Sequence, residues 1–134
     1  MNLNPIIIEK VQQFTEEQYP ALQILRRELH KHPELSGHES WTAAFLAEKL
    51  ESLDLHVRTG FAGNGLIADL ITDTSKPTVA LRVDIDALPI HEINELPYRS
   101  EVPGVMHACG HDVHSAIGVG TAAVLKHLAG MLPG

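Results

Sequence analysis

The sequence predicts an α/β fold, and three observations carry the prediction. Apolar residues recur at helical spacing twice near the start, three short strand-like runs follow, and a further helical segment comes last. The 134 residues suffice for one domain with a core of its own. A hydrophobic content of 44% with 20% charged residues is that of an ordinary globular chain.

The elements are justified in order. Residues 15–31 read as an amphipathic helix: Thr15 and Gln18 fit a capping box, and Ala21, Leu22, Leu25 and Leu29 recur on one face. Pro33 stops it, because the residue before a proline is pushed out of helical geometry. Arg26, Arg27 and Lys31 read as its solvated face and C-terminal end. A second helix is predicted over 37–53, with Ser36 and Glu39 as a second capping box and Trp41, Ala44, Phe45, Ala47, Leu50 and Leu53 on its apolar side.

Strands are predicted at 55–59, where apolar and polar residues alternate, and at 65–71, just after the turn-forming Gly63-Asn64-Gly65. A third, at 78–85, follows a Ser-Lys-Pro loop and is rich in β-branched residues. Residues 86–110 carry three prolines and two glycines and read as irregular. The last helix is predicted over 112–131, with Asp112 as N-cap. Three strands make a thin sheet for so much apolar helix surface, so the chain reads as part of a larger layered fold.

Two polar clusters lie where these elements meet. Asp84 and Asp86 end the third predicted strand, and strand alternation puts both on one face, at the carboxyl end where ligands collect in open α/β sheets. They can equally be turn residues that bond nearby backbone. The second cluster, "MHACGHDVHSA" at 106–116, holds His107, Cys109, His111, Asp112 and His114.

A thiolate and a neutral imidazole two residues apart suit a divalent metal, but two ligands cannot close a tetrahedral site. His107 and His114 then orient ligands or hold substrate. Three other readings stay open: Cys109 as a small buried hydrophobe, Asp112 as a mere cap, or Cys109 as a nucleophile with a histidine base.

Composition narrows the partners. The formal charge of −7 disfavours a nucleic-acid or anionic-lipid partner. A lone cysteine forms no internal disulfide, and neither a signal peptide nor a membrane span is evident, so a cytoplasmic protein is expected.

Four blocks in order, "LRRELHKHPELSGHE" (25–39), "VALRVDIDALPIHE" (79–92), "LPYRS" (96–100) and "GVMHACGHDVHSA" (104–116), resemble the aminoacylase-like amidohydrolases of the M20 metallopeptidase family. That group contains N-acyl-amino-acid, hippurate and auxin-conjugate hydrolases. The resemblance implies a three-layer α/β/α catalytic domain of the zinc-exopeptidase kind. Residues 1–134 would be its N-terminal part, and a smaller lid and dimerisation domain would lie elsewhere.

The resemblance also implies two divalent ions (zinc, manganese, cobalt or nickel), with Cys109 and His111 as the first two ligands and Asp86 supporting a ligand from the strand end. Asp84 stands where other M20 peptidases carry a metal-binding histidine. The family's base glutamate, a further glutamate ligand and two more histidines belong to later segments. The implied substrate is a small N-acyl amino acid, cleaved at its amide bond, and the full-length form is expected to be a homodimer or larger homo-oligomer. The 134 residues alone are expected to be inactive. The alternative is a non-catalytic fragment that binds metal or a partner chain.

Overall fold

A computed structural model describes residues 4–132. The elements are helix α1 (Pro5–Lys31), helix α2 (Ser40–Glu51), strands β1 (His56–Phe61) and β2 (Gly65–Asp69), and helix α3 (His111–His127) with a short 3-10 turn at Ala129–Met131. The mixed helix and strand class agrees with the expectation, while several boundaries and one strand do not.

Helix α1 starts ten residues before the predicted position. Asn4 caps it, its side chain accepting from Ile6 N at 3.0 Å, and Pro5 fits the first turn, where no N–H is needed. Thr15 and Gln18 therefore lie inside the helix rather than at its start. Pro20 is also internal, which leaves the Glu16 carbonyl without its usual helical donor. Of the predicted face, Leu25 and Leu29 are buried and Leu22 half-buried, whereas Ala21 is exposed.

Helix α2 is shorter than 37–53, and the Ser36–Glu39 box does not form. Glu34 does the capping instead: its carboxylate accepts from Thr42 N at 2.7 Å and Trp41 N at 3.2 Å. Glu39 bonds Gly37 N and the Asn64 side chain, and so ties α2 to the β1–β2 turn. The buried face is Thr42, Ala43, Leu46, Ala47 and Leu50, and Ala44 points outward.

β1 and β2 form an antiparallel hairpin with Val57 opposite Ala68 and Thr59 opposite Leu66. The register shifts between Thr59 and Phe61, where Gly60 takes φ +89° as the extra residue of a bulge. Gly65 is required for close approach, since a Cβ there would sit 2.5 Å from the Phe61 carbonyl oxygen.

The run predicted as a strand at 78–85 is not one among the described residues: it pairs with no other strand, and Val79 is 92% exposed. β-Rich sequence encodes an extended chain, but a strand also needs a partner edge, and none is offered here.

α1 and α3 pack antiparallel. Phe14 stacks on His127 at one end, with ring centroids 4.2 Å apart, and Arg26 and His30 meet Asp112 at the other. Leu22 packs directly over Gly120, where a Cβ would lie 2.7 Å from Leu22 Cδ1. The core joins Leu25 and Leu29 of α1, Leu46 and Leu50 of α2, Leu55, and Ala116 and Val119 of α3, with the hairpin's Val57, Leu66 and Ala68 against it. Among the described residues no helix is long and apolar enough to cross a membrane.

Candidate metal centre

The loop before α3 is held by backbone pairing. Leu88 and Met106 exchange two N–H···O bonds of 3.0 Å, and Ala87 N donates to the Glu34 carbonyl at 2.7 Å. Residues 86–88 thus lie between the end of α1 and residue 106. Gly110, at φ +81°, caps α3 in the left-handed conformation that glycine adopts without strain, and its carbonyl accepts from Val113 N and His114 N. Helix α3 therefore starts at His111. Asp112 is not its N-cap but lies within its first turn.

His111 and His114 are three apart on one helical face, and their rings stack with centroids 5.4 Å apart. His111 Nδ1 lies 2.9 Å from both the carboxylate and the carbonyl oxygen of Asp86. Both partners only accept, so Nδ1 carries the proton and Nε2 keeps its lone pair. Asp84, whose carboxylate also accepts from Arg82 at 3.0 Å, completes the group. One donor atom each from Asp84, His111 and His114 lie within 4.8 Å of one another. The predicted common face of Asp84 and Asp86 thus turns toward His111. Cys109 is exposed on the bend before Gly110 and is not part of this trio.

Behind His111 lies a buried polar chain. Asp112 is fully buried: Oδ2 is 2.8 Å from Arg26 Nε and 2.6 Å from His30 Nδ1, and Oδ1 accepts from Val113 N at 2.9 Å. The Arg26 contact is an ion pair, not an aligned hydrogen bond. His30 Nε2 in turn reaches Glu92 Oε1 at 3.2 Å, and Glu92 Oε2 accepts from Ser100 N at 2.6 Å. Arg26 and Arg27 both lie over the Tyr98 ring, so the residues read as a solvated basic face are partly committed inward.

Burial alone would raise the Glu92 carboxyl, but the bonds from Ser100 N, His30 and Asn94 outweigh it and hold the group below its ordinary value of 4.5. His107 is buried, and neither ring nitrogen has a partner among the described residues. Its burial, with His30, His111 and Arg26 nearby, holds the imidazole below its ordinary 6.5 despite the Asp112 carboxylate.

A cleft of about 400 Å³ borders Glu92 and is lined also by His91, Leu96, Arg99, Ser100 and Val102. None of the histidine–aspartate trio lines it. The sequence reading found every member of that trio but missed Arg26, His30 and Glu92, which no local periodicity distinguishes from surface residues.

Residues 80–134 match the model of peptidase family M20/M25/M40. The chain is 41% identical over 120 residues to the N-acyl-L-amino acid amidohydrolase of Geobacillus stearothermophilus, covering 90% of this chain and 32% of that protein. It is 44% identical over 110 residues to the N-acetyl-L-cysteine deacetylase of Bacillus subtilis, covering 82% and 26%. Among solved structures it resembles the Bacillus subtilis YXEP protein, described as a dinuclear metal-binding peptidase of the M20 family. That match has a TM-score of 0.82 and 40% identity, over 92% of this chain and 34% of that one. The chain thus spans about a third or less of the length of these relatives.

Proposed function

The chain belongs to peptidase family M20/M25/M40, and from that premise we propose that it forms one wall of a two-metal amidohydrolase site acting on small N-acyl amino acids. The observation that carries this reading is the Asp86-pinned His111, which leaves one imidazole nitrogen free beside a second imidazole and a carboxylate. That donor set suits divalent zinc, manganese, cobalt or nickel.

In this reading Cys109 and His111 are the ligands, as the resemblance implies; His111 falls in the assembled group, and Cys109 stands exposed on the turn just before it. Asp86 fixes the tautomer and orientation of His111, as carboxylates commonly do for metal-bound histidines. Asp84 and His114 lie beside His111, where they would orient ligands or hold substrate, while His107 and Asp112 are buried. A bound metal pair supplies a water of lowered pKa and polarises the scissile carbonyl. Metal binding requires Cys109 deprotonated and His111 neutral, so metal affinity falls in acid.

Alone, these residues offer two ligands and no base glutamate, and no turnover is expected. Equilibrium dialysis against zinc and manganese tests the site: binding that is lost in Cys109→Ala and His111→Ala is expected, and unchanged binding in both removes these ligands. Hydrolysis of N-acetyl or N-benzoyl amino acids by the chain alone would overturn the division of labour.

A second reading is favoured by the exposed apolar run at 79–81: a non-catalytic role through association with another chain. Sedimentation of the purified chain with and without metal separates the two.

A further inference from the structure

We infer that His30 is a positioning residue for the metal wall: with Asp112 and Glu92 it forms a buried clamp that sets the His111 turn against the Asp86 loop. The inference rests on the metal-site reading above and adds to it residues on a different helix.

The geometry is specific. His30 sits in the last turn of α1, and its two ring nitrogens reach two different elements: Nδ1 meets Asp112 on α3 at 2.6 Å, and Nε2 meets Glu92 in the loop at 3.2 Å. Asp112 is the next residue after His111, and Glu92 follows Asp86, the partner of His111, by six residues in the same irregular segment. The His111–Asp86 contact therefore closes a ring of which His30 is the opposite member. The His111–Asp86 contacts and the Leu88–Met106 backbone pairing tie the two segments on one side, and the buried His30 contacts tie them on the other.

The start of α3 needs such a tie. Its N-cap is Gly110, which has no side chain to accept from the first-turn amides. What anchors the turn is Asp112, fully buried and bonded on both oxygens. Glu92 is in turn fixed by Ser100 N, so the clamp is anchored at its loop end as well. A network that only stabilised the core could lie anywhere; this one joins the two segments that carry His111 and its orienting carboxylate.

The test uses the chain with cobalt(II) as probe, read by its visible and thiolate charge-transfer absorption. Amide hydrogen exchange is read on the metal-free protein and helix content by circular dichroism. Glu92→Ala cuts the loop end and leaves Asp112 paired with Arg26 and His30, so it is the variant expected to fold. His30→Leu cuts both ends. For Glu92→Ala we expect cobalt affinity to fall roughly 10–100-fold, the scale typical of lost outer-shell partners. Exchange should quicken at 111–114 but not in α2. Glu92→Gln, which keeps an acceptor oxygen for Ser100 N and sets an amide NH2 opposite His30 Nε2, should restore both.

A folded Glu92→Ala with unchanged affinity and unchanged exchange at 111–114 overturns the clamp. If the parent chain gives no cobalt spectrum, the metal reading fails by itself and exchange decides the clamp: faster exchange confined to 111–114 supports it, and unchanged exchange overturns it. Uniformly faster exchange in every element of Glu92→Ala also overturns it, as the sign of a merely stabilising residue.

Discussion

The start of α3 and the extended run before it handle their side chains in opposite ways. Around Asp112 the chain buries His30, Glu92, His107 and Ser115, all polar, and supplies partners for most of them from helices and loops far apart in sequence. Along 71–81 it leaves Ile71, Val79 and Leu81 in solvent, Leu81 at 63% exposure, with no strand beside them among the described residues. Buried charge is tolerated where geometry satisfies it, and apolar surface is stranded where geometry does not. The difference teaches that this chain holds the framework of its site within itself but not the neighbours of its third strand-like run.

The largest effect in that comparison should come from Asp112→Ala. It leaves His30 and Arg26 without their shared carboxylate, and breaking a buried pair from one side costs about 3–5 kcal/mol. Denaturant unfolding followed by circular dichroism measures it. A loss under ~1 kcal/mol would mean that the polar interior contributes little.

Acid should attack the same end. The Glu92 carboxyl is depressed in the folded chain, so its contribution is present above the ordinary 4.5 and is lost as pH falls through the lower folded value. His107, also lowered, binds its proton more readily when unfolded, so its contribution is complete above 6.5 and declines below it. Thermal melts between pH 8 and pH 3 should show stability declining in two steps on the way down, with Glu92→Gln removing the more acidic one. A flat profile contradicts both.

Glu34→Ala tests a tie between the two regions, because Glu34 caps α2 with its side chain and holds Ala87 with its carbonyl. Only the cap is lost, so about 1 kcal/mol is expected from the same unfolding assay. The smallest effect on stability belongs to Val79→Lys with Leu81→Lys: within ~0.5 kcal/mol of the parent, but with reduced self-association in light scattering. A large loss of stability would show that the run is packed after all.

Legibility from sequence follows the same divide. α2, α3 and the hairpin were readable because periodicity and a Gly-Asn-Gly turn are local signals. The early start of α1 is masked by the Thr15–Gln18 pair, which mimics a capping box; the signal for it lies in Ile7, Val11 and Phe14, half-buried at helical spacing, and in Asn4 and Pro5. Residues 78–85 read as a strand because β-branched richness favours an extended chain and says nothing of the partner. In the site, the sequence marks His111 as a metal ligand through its cluster with Cys109, and Asp84 and His114 as groups that orient ligands or hold substrate. Arg26, His30 and Glu92 did not, since their partners lie 62 to 86 positions away and such pairs leave no trace in a local pattern.

The separation between His30 and Asp112, 82 positions, also sets the order in which the protein can assemble. Closing so long a loop costs chain entropy before any contact compensates it, whereas α1, α2 and the hairpin form from near neighbours. During synthesis, those parts can be complete while Cys109 and His111 are still emerging. The group around His111 is then the last part to take shape, since His111 must emerge before it can meet Asp86.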